Sequence, residues 1–438
     1  MKPGIFDPTR RELLAGLGAA LGASTAGLIA GGASPAVTAQ IALQARVGSL
    51  ALKPDQPATP IWELAAVSHL KDVRLRRGDR CELVFRNDLP VPLAPIWYGL
   101  NGPATTDPLR GRAPAPPNAV ETSIVSISNA GTLLADFRLF EDGLKQPARP
   151  LPVIAAETGG SAVDRDEVLL IEEWRLRPDG TAVPPGQDPK GATPLYTING
   201  QTSFELSALA NQRLRLRFIN GSQRTVLAIK LESYDVQVIA MDGQPAEPFS
   251  ARNGALVLAP GARADAFVDT ATSAALLLHD GKEARQVGRL TISGQLERRA
   301  PLLPAQPLPP NDLPETLDLK GALRFDVALG AADAGWVRPA SFSTASAPIF
   351  RTRLGRTVVL ALKNPGPIAT VFHLHGHAFR LLDRLDDGWK PYWLDTLAIE
   401  PGQTHRIAFA ACVPGRWLME SVATDWAAPR LVRWYGVE

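Results

Sequence analysis

The sequence predicts an all-β protein made of tandem β-sandwiches, and three observations support this prediction. The 39 prolines and 37 glycines among 438 residues indicate many turns and argue against a helical bundle. Several short runs alternate apolar and polar residues with a period of two, which is typical of half-buried strands. A strand phrase that ends in asparagine recurs about every 140 residues, near Asn87, Asn220 and Asn364, which indicates one sandwich per repeat.

The first segment, residues 1–39, has the features of a secretion signal. It carries the twin-arginine pair Arg10-Arg11, continues as a run rich in glycine and alanine, and ends in small residues before Gln40. A membrane anchor is the alternative, but the glycines make the run weakly hydrophobic for a spanning helix. We therefore expect export to the periplasm by the twin-arginine route and no membrane span in the mature chain.

The mature chain divides into three predicted β domains. Residues 40–157 form the first domain and residues 158–300 form the second. Six prolines make residues 301–314 a semi-stiff linker, and residues 315–438 form the third domain. Each domain contains one copy of the strand phrase that ends in asparagine.

Local patterns place strands and turns within these domains. A Gly-Asp pair, Gly78-Asp79, separates two alternating runs in the first domain. In the second domain, Asn199-Gly200 marks a β-hairpin turn, because both residues tolerate the positive φ angles that such turns require. The run from Leu214 to Asn220 alternates apolar residues with arginine and predicts a strand with one apolar face.

Charge and cysteine content exclude several classes of function. The formal net charge is +2, which gives no reason to expect a nucleic acid or an anionic membrane surface as partner. Cys81 is in phase with the apolar residues of its strand and is predicted to be buried. Cys412 lies in another predicted domain, so we expect no disulfide between them. Neither cysteine is placed to act as a copper thiolate.

Half of the six histidines lie in one short stretch, at every second position: His373, His375 and His377. In an extended strand, alternate side chains face the same side and lie roughly 6.5–7 Å apart, so the three imidazoles would form a row. Such rows suit copper, zinc or iron. The alternative is a strand whose histidines are held by ordinary hydrogen bonds. His69, His279 and His405 stand alone in the sequence and are not expected to bind metal.

This stretch resembles the histidine-rich signature in the last cupredoxin domain of the multicopper oxidases, the family of laccases and copper efflux oxidases. Downstream segments resemble the same family in order and spacing, namely Trp393–Thr396, Pro401–Thr404 and Pro414–Trp417. Phrases in the second domain, such as Asp242-Gly243 and the segment 259–263, resemble its middle domain. The resemblance covers nearly the whole mature chain and implies three tandem cupredoxin-like Greek-key β-sandwiches, with the metal-site region between the first and third.

Members of that family that hold copper use more histidines than this chain contains, together with one cysteine, in four motifs. Compared with those motifs, only His373 and His375 keep positions of the trinuclear copper cluster, and His377 matches a histidine that is not usually a ligand. Other residues take the remaining ligand positions: Ile96, Tyr98, Asp136, Arg138, Thr370, Glu420, Ser421, Val422 and Trp426. The resemblance therefore implies a chain that has lost most of its copper ligands.

Ser421 is the most telling of these replacements, because it stands where the family has the cysteine of its mononuclear copper site. Without a thiolate there is no covalent path for electrons between that copper and the cluster. Arg138 would add a permanent positive charge where the family holds a cupric ion. The resemblance therefore implies that the mononuclear copper is absent.

Two readings of the remaining donors stay open. His373 and His375 could form a reduced site of two histidines and one carboxylate, with Asp136 or Glu420 as the third ligand. Alternatively, an ion pair of Arg138 with Asp136 or Glu420 refills the former metal cavity, and the histidines hydrogen-bond to the carboxylates. We favour the second reading, because two histidines rarely hold a divalent ion tightly.

The sequence therefore predicts an exported, copper-poor member of the family without catalytic activity. By its resemblance to the copper-free relatives typified by FtsP (SufI), which are associated with bacterial cell division, it would act as a binding or scaffold protein of the cell envelope or division machinery. Its expected partner is an unidentified periplasmic or envelope protein, and no cofactor is expected. The alternative is an oxidoreductase or metal-binding protein that holds copper at low stoichiometry at His373 and His375. An oxidase completed by ligands from a second chain ranks last.

Overall fold

The computed structural model describes the chain from Ala39 to the C-terminus, except for a few short segments. The described residues are 39–67, 72–102, 113–137, 139, 146–159, 163–297, 302–330, 335–343, 345–383 and 388–438. The predicted signal segment, except for Ala39, lies outside them, as do His69 and Arg138. Residues 37–438 form one compact unit. None of the helices in the described ranges is long and apolar enough to cross a membrane.

The first sandwich encloses its core between two sheets. Its described strands are β1 (Ala39–Leu50), β2 (Thr59–Ala66), β3 (Val73–Arg76), β4 (Arg80–Asn87), β5 (Ile96–Tyr98), β6 (Val120–Ser126), β7 (Gly131–Asp136), β8 (Ala148–Arg149) and β9 (Leu151–Ala156). One sheet has the order β6-β4-β1-β2-β8 and the other the order β3-β9-β7-β5. The two strands around Gly78-Asp79 enter opposite sheets, and Cys81 is buried between them as predicted.

The second sandwich repeats this arrangement with longer strands. Its described strands are β10 (Arg165–Leu176), β11 (Thr193–Ile198), β12 (Phe204–Ala210), β13 (Arg213–Asn220), β14 (Leu227–Leu231), β15 (Gln237–Met241), β16 (Gln244–Ser250), β17 (Ala255–Leu258), β18 (Arg263–Asp269), β19 (Ala274–His279) and β20 (Ala284–Gln295). The sheet orders are β11-β10-β13-β18-β15-β16 and β12-β20-β19-β14-β17. A short 3-10 turn spans Arg252–Gly254.

The third sandwich carries the histidine stretch. Its described strands are β21 (Leu323–Ala328), β22 (Arg351–Thr352), β23 (Thr357–Lys363), β24 (Thr370–Leu374), β25 (Phe379–Leu382), β26 (Trp389–Leu394), β27 (Thr396–Ile399), β28 (Thr404–Ala410), β29 (Gly415–Ala423) and β30 (Arg430–Val437). The sheet orders are β21-β23-β28-β25-β26 and β22-β30-β29-β24-β27. A 3-10 turn spans Pro339–Ser341. The predicted all-β class with three tandem sandwiches is confirmed, whereas the exact boundaries at 157, 300 and 314 stay predictions.

The recurring asparagines explain why the sequence repeats. Asn87, Asn220 and Asn364 are buried and stand at or just after the end of equivalent strands. Each side-chain amide donates to two backbone carbonyls, and each side-chain oxygen accepts a backbone N–H from the residue two positions later. A buried amide whose donors and acceptor are all satisfied holds the loop that follows the strand in one conformation. The same turn chemistry therefore shapes all three sandwiches.

Of two local predictions in the second domain, one differs from the structure and one is confirmed. Asn199 and Gly200 form the predicted tight turn, with φ angles of 53° and 77°, but the flanking strands β11 and β12 enter opposite sheets and do not pair as a hairpin. The strand β13 has the predicted apolar face, with Leu214, Leu216 and Phe218 in the core of the second sandwich, and its arginine face is buried as well. Its polar face packs against the first sandwich, so that Arg217 donates to Thr132 at 2.9 Å and to Asp265 at 2.9 Å.

Arg263 joins all three sandwiches and is fully buried. Its Nε donates to the Thr132 carbonyl of the first sandwich at 3.2 Å, and its Nη2 donates to the Asp242 carbonyl of the second at 2.8 Å. Both terminal nitrogens bind the Asp395 carboxylate of the third, at 3.1 and 2.6 Å. Gly99 leaves room for this guanidinium, because a Cβ at that position would lie 2.5 Å from Nη2. One planar side chain thereby fixes how the three sandwiches meet.

Replacing Arg263 by methionine should cost about 3–5 kcal/mol of stability, because it leaves a buried carboxylate at Asp395 without its cation. The measurement is the free energy and midpoint of unfolding of the purified protein. Arg351→Met is the matched control, since Arg351 pairs with Glu438 on the surface and such pairs contribute less than about 1 kcal/mol. Equal effects of the two variants would contradict the role assigned to Arg263.

Candidate functional site

The histidine stretch is only partly a strand. β24 ends at Leu374, and the chain turns at Gly376, which has a φ of 75°. A Cβ at this glycine would lie 2.2 Å from the Trp417 ring, so the turn needs glycine on both grounds. The predicted row of three imidazoles on one strand face is therefore wrong. His373 and His375 do come together, with ring centroids 4.6 Å apart, because the chain bends between them.

His377 belongs to the core of the third sandwich. The Val413 N–H donates to its Nε2 at 3.4 Å, and its Nδ1 lies 2.7 Å from the Tyr435 hydroxyl, which in turn donates to the His375 carbonyl. These roles assign the hydrogen of a neutral ring to Nδ1. Burial lowers the pKa of His377 to about 3. Both ring nitrogens of His377 are therefore used in hydrogen bonds within the third sandwich.

His373 is held from the second and third sandwiches through a short chain of hydrogen bonds. Asp395, bound by Arg263, accepts from the Thr396 hydroxyl at 2.7 Å, and that hydroxyl lies 2.8 Å from Nδ1 of His373. Since the threonine hydrogen is used on Asp395, Nδ1 is the donor in this contact and Nε2 carries the lone pair. Among the described residues, Nε2 has no hydrogen-bond partner although it is buried. Burial, together with the nearby His375, lowers the pKa of His373.

His375 belongs to a second network, centred on Glu420. Nε2 of His375 lies 2.6 Å from Oε1 of Glu420, and the Tyr98 hydroxyl donates to the same oxygen at 3.0 Å. The Arg430 guanidinium donates to the other carboxylate oxygen and, at 3.3 Å, to the Gln223 side chain. Tyr98 comes from the first sandwich, Gln223 from the second and the others from the third. Residues of all three sandwiches therefore contact the ion pair of Glu420 and Arg430.

The charge of Glu420 is fixed by these neighbours. Burial alone would raise its pKa, but the Arg430 guanidinium and the hydrogen bond from His375 hold the pKa of this carboxyl well below its usual range. Since an ionised carboxylate only accepts hydrogen bonds, Nε2 of His375 is the donor in their contact. The His375 nitrogen that faces the site therefore carries a hydrogen and offers no lone pair.

The site surrounds a cavity of about 20 Å³, room for about one water molecule. Its lining includes Tyr98, Gln223, His373, Glu420 and Arg430. Two of the predicted metal donors, His373 and Glu420, line this cavity, whereas His375 is not in the lining and is hydrogen-bonded to Glu420. Asp136 is not part of this lining: it lies on β7, pairs with Ile96 and accepts the Phe137 N–H at 2.7 Å.

The other predicted positions are buried, and their local roles differ. Thr370 donates to the Asn364 side chain at 3.3 Å, Ser421 pairs with Phe372 across β24 and β29, and the Trp426 indole donates to the Pro184 carbonyl at 3.0 Å. All described lost-ligand positions are buried: Ile96, Tyr98, Asp136, Thr370, Glu420, Ser421, Val422 and Trp426. His279 and His405 take part in neither network as far as the described contacts go.

Sequence reasoning missed the cation of this site. It expected Arg138, which lies outside the described residues, and the guanidinium found on Glu420 is that of Arg430. Arg430 starts the last strand, and its position opposite Val422 puts it beside the site. An arginine at the start of an apolar strand was the sequence feature that could have indicated this cation. Its use would have required the register between the last two strands, which the sequence does not show.

These residues do not fit a copper centre of the kind that the fold family implies. Ser421 supplies no thiolate, the facing nitrogen of His375 carries a hydrogen, and the carboxylate of Glu420 already has a cation. Among the side chains of His373, His375, Ser421 and Glu420, only Nε2 of His373 is a buried atom without a hydrogen-bond partner in the described part of the chain. Within the same described ranges, no three histidine, cysteine, aspartate or glutamate residues are grouped to hold a metal ion. No reaction step is therefore assigned to copper here.

His377→Gln should flatten the dependence of stability on pH. Because the folded-state pKa of about 3 lies below the unfolded value of about 6.5, the unfolded chain binds more protons between these values. The histidine therefore removes up to about 1.4 kcal/mol of stability for each pH unit as the pH falls through this window. Unfolding free energies from pH 7 down to pH 4 test this, with the partly exposed His405→Gln as control. An unchanged slope in His377→Gln would contradict the assignment.

Comparison with known proteins agrees with this architecture. The chain is similar to the solved structure of a multi-copper oxidase from Pseudomonas thermotolerans, with a TM-score of 0.79 and 23% identity over 92% of this chain and 100% of that one. It is also similar to the structure of Lac15 from a marine microbial metagenome, with a TM-score of 0.74 and 23% identity over 91% of this chain and 100% of that one. Likeness at this level of identity confirms the cupredoxin-type fold.

Sequence comparison identifies the family. The chain is 25% identical over 413 residues to the multicopper oxidase MmcO of Mycobacterium tuberculosis. The match covers 79% of this chain and 77% of that protein. Two family models described as multicopper oxidase match residues 166–276 and 316–438, together more than half of the chain. On these matches and the fold, the chain belongs to the multicopper oxidase family.

Proposed function

We propose that this chain is an exported, periplasmic member of its family that has lost most of the copper ligands and works without catalysis, as a binding or scaffold protein of the cell envelope or division machinery. The observation that supports this most strongly is the ion pair of Glu420 and Arg430 at the place where the predicted ligands converge. An oxidase would need metal donors there. This chain has a carboxylate that is already neutralised.

The chemistry of the individual positions adds to this support. Copper in this family takes imidazole and thiolate ligands, whereas Tyr98, Glu420 and Ser421 offer a phenol, an ion-paired carboxylate and a hydroxyl. The phenol and the carboxylate are bonded to each other at 3.0 Å. Polar groups that satisfy one another in this way make a stable interior without a metal.

Export and the envelope role rest on the sequence. The twin-arginine segment at residues 1–39 supports transport of the folded protein, and copper loss together with this signal is what the chain shares with the FtsP-like relatives. The partner we propose is a periplasmic or envelope protein rather than a nucleic acid or small substrate.

The second candidate function is a copper-dependent oxidoreductase or metal-binding protein with a reduced site at His373 and His375. One observation favours it: Nε2 of His373 is buried, carries a lone pair and finds no partner among the described residues. A metal ion bound there would satisfy this nitrogen. The competing occupant of the same space is a water molecule that donates a hydrogen bond.

Metal content of the exported protein, purified without chelator, separates the two candidates. We expect copper, zinc and iron far below stoichiometric levels, no blue absorption band, and no difference between the wild type, His373→Ala and the surface control His279→Ala. Stoichiometric metal that disappears only in His373→Ala would establish the second candidate.

A deletion strain tests the envelope role. Deletion of the gene should cause filamentation or lysis under envelope stress, and expression of the His373→Ala variant should restore growth as well as expression of the wild type does. Normal growth of the deletion strain would count against the envelope role.

A further inference from the structure

We propose that a cleft on the second sandwich, beside the segment 302–305, binds an extended, largely apolar segment of another protein that contains a lysine or an arginine. This inference rests on the proposed function, because a binding or scaffold protein needs a surface for its partner. The cleft has a volume of about 680 Å³, within the range of about 300–1,000 Å³ that is usual for ligand sites. It shares no lining residue with the cavity at His373 and Glu420.

The floor of the cleft is the outer face of a sheet whose other face forms the core of the second sandwich. Leu214 of β13 and Val268 of β18 lie in that core, whereas Arg213, Phe267 and Asp269 on the same strands line the cleft. The neighbouring strands β15 and β16 also contribute to the lining, so the floor crosses four adjacent strands.

The length of this floor fits a short stretch of extended chain. Neighbouring strands lie about 4.8 Å apart, so four strands extend roughly 14 Å across the sheet. An extended chain covers this distance with about four residues, because each residue spans about 3.3 Å. The cleft therefore has the dimensions of a groove for a peptide segment.

One side of the cleft is apolar and exposed to solvent. The segment 302–305 forms this side, and its Leu303 is 76% exposed, while Pro304 is exposed as well. Pro248 and Phe267 add apolar surface from the sheet. A partner that covers this leucine removes its apolar surface from water, which favours binding. Apolar side chains of the bound segment are therefore expected on this side.

The opposite side carries a negative charge that a partner can neutralise. Gln237 and Ser250 donate to Oδ2 of Asp235, at 2.8 and 3.2 Å, and thereby orient this exposed carboxylate. In the described ranges no lysine or arginine pairs with it. The second carboxylate of the cleft, Asp269, already accepts two hydrogen bonds of 2.6 Å from Arg213. A lysine or arginine in the bound segment would complement the remaining charge.

The loops around Asp235 are held in place before anything binds. The hydroxyl of the adjacent Tyr234 accepts the N–H groups of Ala271 and Thr272, both at 3.0 Å, and donates to the Thr272 carbonyl. This joins the loop before β15 to the turn after β18, and both loops line the cleft. A surface that is already ordered loses less conformational entropy on binding.

The experiment measures the binding of labelled peptides with blocked ends to the purified protein by fluorescence anisotropy. The probe is Leu-Arg-Leu-Pro, and the matched peptide has glutamine in place of the arginine. We expect saturable one-to-one binding of the arginine peptide and about fivefold weaker binding of the glutamine peptide, as for the loss of an exposed ion pair. Asp235→Asn should bind both peptides equally, at the weaker level.

Leu303→Ser tests the apolar side and should weaken binding of the arginine peptide at least about tenfold, because the leucine can no longer be buried by it. Asp188→Asn and Leu354→Ser are the matched controls, since both residues are exposed and lie outside the cleft. Both control variants should bind the arginine peptide as the wild type does.

Four results would overturn the inference. They are no saturable binding to the wild type, binding that neither Asp235→Asn nor Leu303→Ser weakens, displacement of the peptide by arginine amide as effectively as by unlabelled peptide, and self-association of the protein that Leu303→Ser abolishes. The third result would assign the cleft to a small cationic molecule, and the fourth would assign it to a second copy of this chain. Failure of the proposed function is separate, because it would show as stoichiometric metal in the wild type or as normal growth of the deletion strain.

Discussion

The structure depends on one buried guanidinium at the junction of the three sandwiches. Arg263 binds a carbonyl of the first sandwich, a carbonyl of the second and both oxygens of Asp395 in the third. Burial would raise the pKa of Asp395, but the charge of Arg263 and the nearby His373 lower it, so that the carboxylate stays ionised in the interior. Asp395 then orients Thr396, and Thr396 orients His373. The orientation of His373 in the candidate site therefore depends on the contacts that join the domains.

Arginine–carboxylate pairs lie at two further contacts between the sandwiches. Arg217 joins Asp265 to Thr132 of the first sandwich, and Arg430 joins Glu420 to Tyr98 and Gln223. A buried pair of this kind adds little net stability compared with apolar packing. Removal of one partner nevertheless destabilises the protein strongly, because the other charge stays buried without a counter-charge. Such a pair therefore specifies one arrangement of the domains. In this chain one such pair, Arg430 with Glu420, lies where the sequence predicted the remaining metal donors.

The fold class could be predicted from the sequence because it depends on local patterns of residues. Period-two alternation and the asparagine turns at Asn87, Asn220 and Asn364 are properties of short segments, and the structure confirms the class they predict. The site was predicted only in part. His373 and Glu420 were named, but the turn at Gly376 and the pairing of Arg430 with Glu420 depend on contacts between distant segments, which no short pattern records. The alternation in β13 predicted its apolar face, but alternation does not show whether another domain covers the opposite, polar face, and here that face is buried as well.

We propose that the chain's own charged side chains, without a metal, hold the junction and the site together. Thermal unfolding of the purified protein tests this directly, measured as purified, after prolonged treatment with a strong chelator, and with added Cu²⁺. We expect the same unfolding midpoint in all three conditions, because a ligand that binds only the folded state raises that midpoint and the proposed state holds none. A clear fall after chelation that Cu²⁺ reverses would contradict this proposal.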